Sequence, residues 1–168
     1  TQAVNASEED LEEKANNNEP RPVLSNEEIE KFKVEKITKL PDEKIKDVDL
    51  LIVLDAEPER VGRVTTIADA PILNFDHHRS NTRTADFLYL EPQRAATGEI
   101  MYELLKTLDI QFDLNMAVCI YTAIATDCGF FKYSNTTAYT MRIAGELLDI
   151  GVRPNLISEH WIKKNMMT

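Results

Sequence analysis

Apolar positions come first in short unbroken runs and later at helical spacing. Leu50-Leu51-Ile52-Val53-Leu54 is apolar throughout and of strand length, so it predicts a strand over 49–55 that is buried on both faces. Similar runs predict strands over 72–76 and 87–90, with a short helix over 58–63 between the first two, opened by Pro58. From residue 95 onward the spacing predicts helices near 95–108, 114–126, 136–150 and 154–163. In the first of these, Ile100, Leu104, Leu105 and Leu108 share one face, whereas Ala117 to Thr126 is apolar nearly all round and reads as a core helix. Upstream, Ser25-Asn26-Glu27-Glu28 opens a short helix through Phe32, and Val34 to Ile37 suits an edge strand. Strands that alternate with helices and then give way to helices predict an α/β fold, a parallel sheet flanked by helices.

Composition narrows this picture. The chain has 168 residues, 43% of them hydrophobic, enough for one core, and no apolar run approaches membrane-spanning length. A soluble domain over 25–168 is expected, in the cytoplasm and without a membrane partner. Residues 1–30 hold nine acidic side chains against Lys14 and Arg21, so most of the net charge of −10 lies there. The segment 1–24, acidic and nearly free of large apolar residues, is expected to be solvated and mobile. An acidic chain repels long polyanions, which argues against duplex DNA and for small anionic substrates.

Two of the three histidines stand side by side in Asn74-Phe75-Asp76-His77-His78-Arg79-Ser80-Asn81, at the end of the second strand. The first strand ends in Asp55. In open α/β sheets the ligand crevice lies beyond the carboxyl ends of the strands, so both clusters are expected to open into one cleft. Asp127 ends the apolar helix, where the macrodipole disfavours a carboxylate and a cation would compensate it. Each residue also has a plainer reading: Asp55 as a cap of the short helix, the histidines as polar loop residues, Asp127 as a helix-terminal turn residue. Thr97 and Glu99 read as a helix start. Cys119 and Cys128 match no zinc or redox spacing and read as buried thiols.

The segments VDLLIVLDAEPERVGR (48–63), LNFDHHRSN (73–81) and TAIATDCGFFKYSNTT (122–137) resemble, in order and spacing, three motifs of the DHH phosphoesterases. The flanks AATGEIMYELL (95–105) and TMRIAGELLDIGV (140–152) are most similar to family members of the oligoribonuclease and phosphoadenosine-phosphate phosphatase type, whose relatives act on linear or cyclic dinucleotides. The resemblance implies two-metal phosphoester hydrolysis with two Mn²⁺ ions, or Mg²⁺ in their place, and short RNA or nucleotide substrates. It implies metal ligation by Asp55, His77 and Asp127, and a phosphate-facing, catalytic role for His78. Asp76 stands behind the ligands, accepting a hydrogen bond that fixes an imidazole or a neighbouring backbone group. Arg79 and Asn81 are the expected substrate contacts, a guanidinium for phosphate and an amide for a base edge. Dimerisation through the helix bearing Met101 and Tyr102 is a further expectation.

The chain departs from the pattern in two places. Residues 1–47 contain nothing like the family's His-x-x-Pro-Asp-x-Asp motif, and no glycine-rich substrate-binding domain follows residue 160. The expectation is therefore a partial domain, a fragment of a longer enzyme and inactive alone. Two rivals come from another class: a sensor that binds metal or nucleotide without catalysis, and a structural piece whose acidic N-terminal arm docks on a partner.

Overall fold

A computed structural model describes residues 48–166, with side chains through Trp161. The acidic segment 1–24, the helix expected from Ser25 and the strand expected over Val34 to Ile37 lie outside the described residues. The described elements are β1 (Leu51–Leu54), a 3-10 turn (Pro58–Val61), α1 (Val64–Ile67), β2 (Ile72–Asp76), β3 (Phe87–Leu90), α2 (Thr97–Thr107), α3 (Leu114–Asp127), α4 (Ala138–Ile150) and α5 (Pro154–Met166). The helix expected over 58–63 divides because Gly62 adopts φ 66°, a left-handed conformation that ends the first turn before α1 begins.

The three strands form one parallel sheet in the order β1-β2-β3. Leu54 pairs with Phe75 and Asp76 with Leu90, so the chain leaves β1 and β2 side by side at one edge of the sheet. Asp55 extends the ladder by donating its N–H to the Phe75 carbonyl at 3.0 Å. The fold is α/β, as the order of elements predicts. The expectation that β1 is buried on both faces is corrected. Val53 is buried, but Ile52 and Leu54 are 54% and 46% exposed, and Phe87 and Tyr89, across β2 on the same face, are exposed as well. An unbroken apolar run cannot say which of its faces a helix will cover, because both faces read alike.

The main core lies among the helices. Tyr102, Ala117, Ile120, Ile124, Ile143 and Leu147 form one buried cluster that joins α2, α3 and α4. The helix ends follow from local chemistry. The Asp113 carboxylate accepts from the Met116 N–H to start α3, Thr137 and Thr140 make a reciprocal capping box at α4, and Gly151 closes α4 with φ 120°. Leu108 is 61% exposed because α2 stops at Thr107, so this residue has already left the apolar face on which its spacing placed it. Of Met101 and Tyr102, the two candidates for a subunit contact, Tyr102 is buried and stacks on Phe112 with ring centroids 5.3 Å apart, and Met101 is half-buried. Cys119 is exposed, contrary to expectation, whereas Cys128 is buried. Among the described residues no helix is long and apolar enough to cross a membrane.

Gly98 lies where α2 packs tightly against α3. A Cβ there would lie 3.0 Å from Ile124 Cγ1 and 3.1 Å from Ala123 Cβ. Gly98→Ala is expected to lower stability by about 1–3 kcal/mol through overpacking, although alanine is the better helix former by about 1 kcal/mol. A urea midpoint equal to or above that of the unaltered chain would show that the helices separate without cost.

Candidate metal centre

Asp55 sits one residue beyond β1 with φ 62°, a left-handed backbone that turns the chain sharply at the strand end. His77 follows β2 directly, and Asp127 is the last residue of α3. These three elements, far apart in sequence, bring their polar ends together. His77 Nε2 lies 3.5 Å from Asp55 Oδ1 and 3.4 Å from Asp127 Oδ2. Ligand atoms bound about 2.1 Å from a common cation stand about 3.0–3.5 Å apart at right or tetrahedral angles, so this spacing suits an ion between them. Donor atoms of Asp55, His77 and His78 also lie within 4.8 Å of one another.

The surroundings prepare this donor set. His77 Nδ1 lies 3.1 Å from the Arg94 carbonyl, which can only accept. That contact places a proton on Nδ1 and turns Nε2 toward the two carboxylates. Thr97, the first residue of α2, donates its hydroxyl to Asp55 Oδ1 at 2.8 Å. Asn135 donates to the carbonyls of Ala95 and Asp127 at 3.1 and 3.2 Å, tying the loop after α3 to the segment that carries Thr97. A hard or borderline divalent cation fits two carboxylates and one imidazole so arranged.

Asp76 is 1% exposed and serves as an acceptor hub. Its Oδ1 takes the N–H groups of His77 and His78 at 2.8 and 3.1 Å and meets His78 Nδ1 at 2.7 Å, while Oδ2 takes the Asn81 amide at 2.6 Å. Burial opposes its ionisation, but the hydrogen bonds from Asn81, His78 and the two amides outweigh it and hold the Asp76 carboxyl below its ordinary value. The bond from Asp76 in turn raises the pKa of His78 against partial burial, with further help from the charges of Asp76, Asp55 and Asp127. The His78 side chain is 44% exposed. For Asp127, burial foremost and then the Asp55 charge raise the pKa, and His77 and His78 offset part of this.

Arg79 is exposed in the loop after the histidines. The expectation for Asn81 is corrected: it is 6% exposed, with both amide hydrogens given to Asn74 and Asp76 and its oxygen taken by the Arg83 N–H, so no edge is left for a base. Glu99 is likewise internal, accepting from the Ala95 N–H and the Thr140 hydroxyl. Sequence reasoning missed Thr97 as a partner of Asp55, the Arg94 carbonyl, Asn135 and Asn74. Only Asn74 carried a signal, as the one polar residue inside an otherwise apolar strand run. A cleft lined by Leu54, Met101, Cys119, Ile120 and Ala123 opens beside Asp55 and Asp127.

No protein-family model matches the chain. It is 36% identical over 114 residues to the bifunctional oligoribonuclease and PAP phosphatase NrnA of Thermus thermophilus, covering 67% of this chain and 35% of that protein. It is 34% identical over 103 residues to the protein of the same name from Bacillus subtilis, covering 59% and 33%. Among solved structures, an exopolyphosphatase-related protein from Bacteroides fragilis matches with a TM-score of 0.59 at 25% identity, over 66% of this chain and 34% of that one. The chain is thus similar to NrnA-type phosphoesterases, and its structural neighbours are of the DHH type. It spans about a third of the length of the NrnA relatives it matches. A putative family II inorganic pyrophosphatase from Methanococcus jannaschii shares the fold, with a TM-score of 0.53 at 18% identity over 68% of this chain and 41% of that one.

The raised pKa of Asp127 gives a pH-dependent expectation for the chain without metal. A carboxyl whose folded pKa lies above its unfolded value weakens the fold when ionised, and the penalty disappears as pH falls through the folded pKa toward the unfolded one. Asp127→Asn is therefore expected to raise the melting temperature of the metal-free chain at neutral pH, with the gain shrinking in mild acid. Thermal melts that show no gain at pH 7, or one that grows on acidification, would contradict this.

Proposed function

We propose that the chain is the cation-binding part of a metal-dependent phosphoesterase that hydrolyses short RNA oligonucleotides or dinucleotides and, at the same site, 3′-phosphoadenosine 5′-phosphate. The observation that carries this reading is the placement of His77 Nε2 between the Asp55 and Asp127 carboxylates, at 3.5 and 3.4 Å. The names of the relatives, oligoribonuclease and PAP phosphatase, supply the substrate class.

Asp55, His77 and Asp127 would hold Mn²⁺, with Mg²⁺ as the alternative. Divalent ions bound there supply Lewis-acid polarisation of a phosphoryl oxygen and lower the pKa of water to near neutrality. The chain's own groups do the rest. His77 is aimed by the Arg94 carbonyl, and Thr97 holds the Asp55 oxygen in place. His78, charged over a wider pH range because Asp76 is bonded to it, stands half exposed beside the ligands and offers a proton or a hydrogen bond to a phosphoryl oxygen. Arg79, exposed one residue further on, suits a phosphate.

Two carboxylates balance only half the charge of two divalent ions. The 168-residue chain is therefore expected to bind one Mn²⁺ weakly and to hydrolyse little. In the full-length protein, Mn²⁺-dependent release of mononucleotides from a diribonucleotide is the expected activity, compared with 3′-phosphoadenosine 5′-phosphate and a cyclic dinucleotide as alternative substrates. There His78→Ala is expected to lower kcat by about 10²- to 10⁴-fold while Mn²⁺ binding persists. Equal turnover with and without a chelator would overturn the reading, and faster turnover of the cyclic substrate would redirect it to cyclic dinucleotide phosphodiesterase activity.

A further inference from the structure

Asp55 is held at φ 62°, a left-handed conformation that strains a non-glycine residue and persists where the surroundings enforce it. The enforcing group is identifiable. Asn74, on the adjacent strand and 0% exposed, donates from one amide nitrogen to the Val53 carbonyl at 3.0 Å and to the Ala56 carbonyl at 2.9 Å. Those carbonyls flank Asp55, so a single side chain clips the two limbs of the turn on which the carboxylate is mounted.

Asn74 is itself oriented. Its Oδ1 accepts from Asn81 at 2.9 Å, which leaves its nitrogen facing β1. The Arg83 N–H donates to Asn81 Oδ1 at 2.8 Å, so the Asn81 amide cannot turn over without losing that bond. The other Asn81 hydrogen reaches Asp76 Oδ2, and Asp76 Oδ1 holds the His77 and His78 amides. One buried line of hydrogen bonds thus runs from the carbonyls on either side of Asp55 to the backbone of the two histidines. Because every donor along it is used, it sets the distance between the carboxylate and the imidazole.

We propose that Asn74, oriented by Asn81, is a positioning residue that enforces the left-handed backbone at Asp55 and so presets the spacing between Asp55 and His77 before a divalent cation binds. This rests on the reading of Asp55 and His77 as metal ligands. Asn74→Asp keeps the shape of the side chain but turns an oxygen toward two carbonyls, which breaks the clip.

In the 168-residue chain, Mn²⁺ titration followed by electron paramagnetic resonance is expected to give a dissociation constant about 10- to 100-fold higher for Asn74→Asp. Without metal, hydrogen exchange is expected to quicken at the Asp55 amide relative to helix-core amides such as Ile124. Asn81→Ser should shift both readouts the same way by less, and it decides the question if Asn74→Asp fails to fold. Thr140→Val, at an equally buried polar site, should lower stability and leave Mn²⁺ affinity unchanged. Unaltered affinity and unaltered Asp55 exchange in both asparagine variants would overturn the proposal, as would uniform acceleration across all core amides. Absence of Mn²⁺ binding in the unaltered chain would instead overturn the metal-site reading, and the exchange data alone would then judge the clip.

Discussion

The parallel ladder between β1 and β2 is the constraint on which the site depends. With Leu54 opposite Phe75, Asp55 emerges beside Asp76-His77-His78, and Asn74 reaches the carbonyls on either side of Asp55. A slip of one residue would turn Asn74 and Asp76 to the opposite face. It would leave a buried amide and a buried carboxylate without partners, a loss of about 1–3 kcal/mol for each such group or more for the charged one. The polar residues inside β2 thus select the register that apolar packing alone leaves degenerate, and the same register creates the cation-binding geometry.

Both carboxylates lie at or near backbone with positive φ. Asp55 is left-handed, and the chain after Asp127 runs through three successive left-handed residues, Gly129, Phe130 and Phe131. The helical core supports both segments: Ile124, Ala125 and Cys128 are fully buried at the end of α3, and Thr97 and Gly98 lie where α2 presses against it. Packing of α2 on α3 therefore governs the approach of the Asp127 helix end to the Thr97 hydroxyl that holds Asp55. Stability resides in the helices, and the destabilising chemistry lies at their edge, where partial burial penalises a negative charge that a cation would relieve.

The apolar sheet face formed by Ile52, Leu54, Phe87 and Tyr89 belongs to the same arrangement. The described helices gather around their own cluster and leave these four side chains exposed, although Phe75 between Leu54 and Tyr89 is buried.

How much of this could be read from residues alone differs from feature to feature. Strand and helix positions were legible because unbroken apolar runs and helical periodicity are local properties, and Asp55, His77 and Asp127 stood out as polar groups ending apolar segments. The interval between motifs carried the family resemblance. Coverage of the sheet face, the burial of Tyr102 and the exposure of Cys119 were not legible, since each depends on which neighbour arrives from elsewhere in the chain. Asn81 looked like a reader of bases because a loop amide has the right chemistry. Only the folded backbone, by bringing Asn74, Asp76 and Arg83 within hydrogen-bonding distance, committed that amide to the interior. Sequence determined which chemical groups exist and which element carries each. Tertiary structure decided where they meet, because a hydrogen bond or a shared cation requires ångström-scale proximity between residues that sequence separates by dozens of positions.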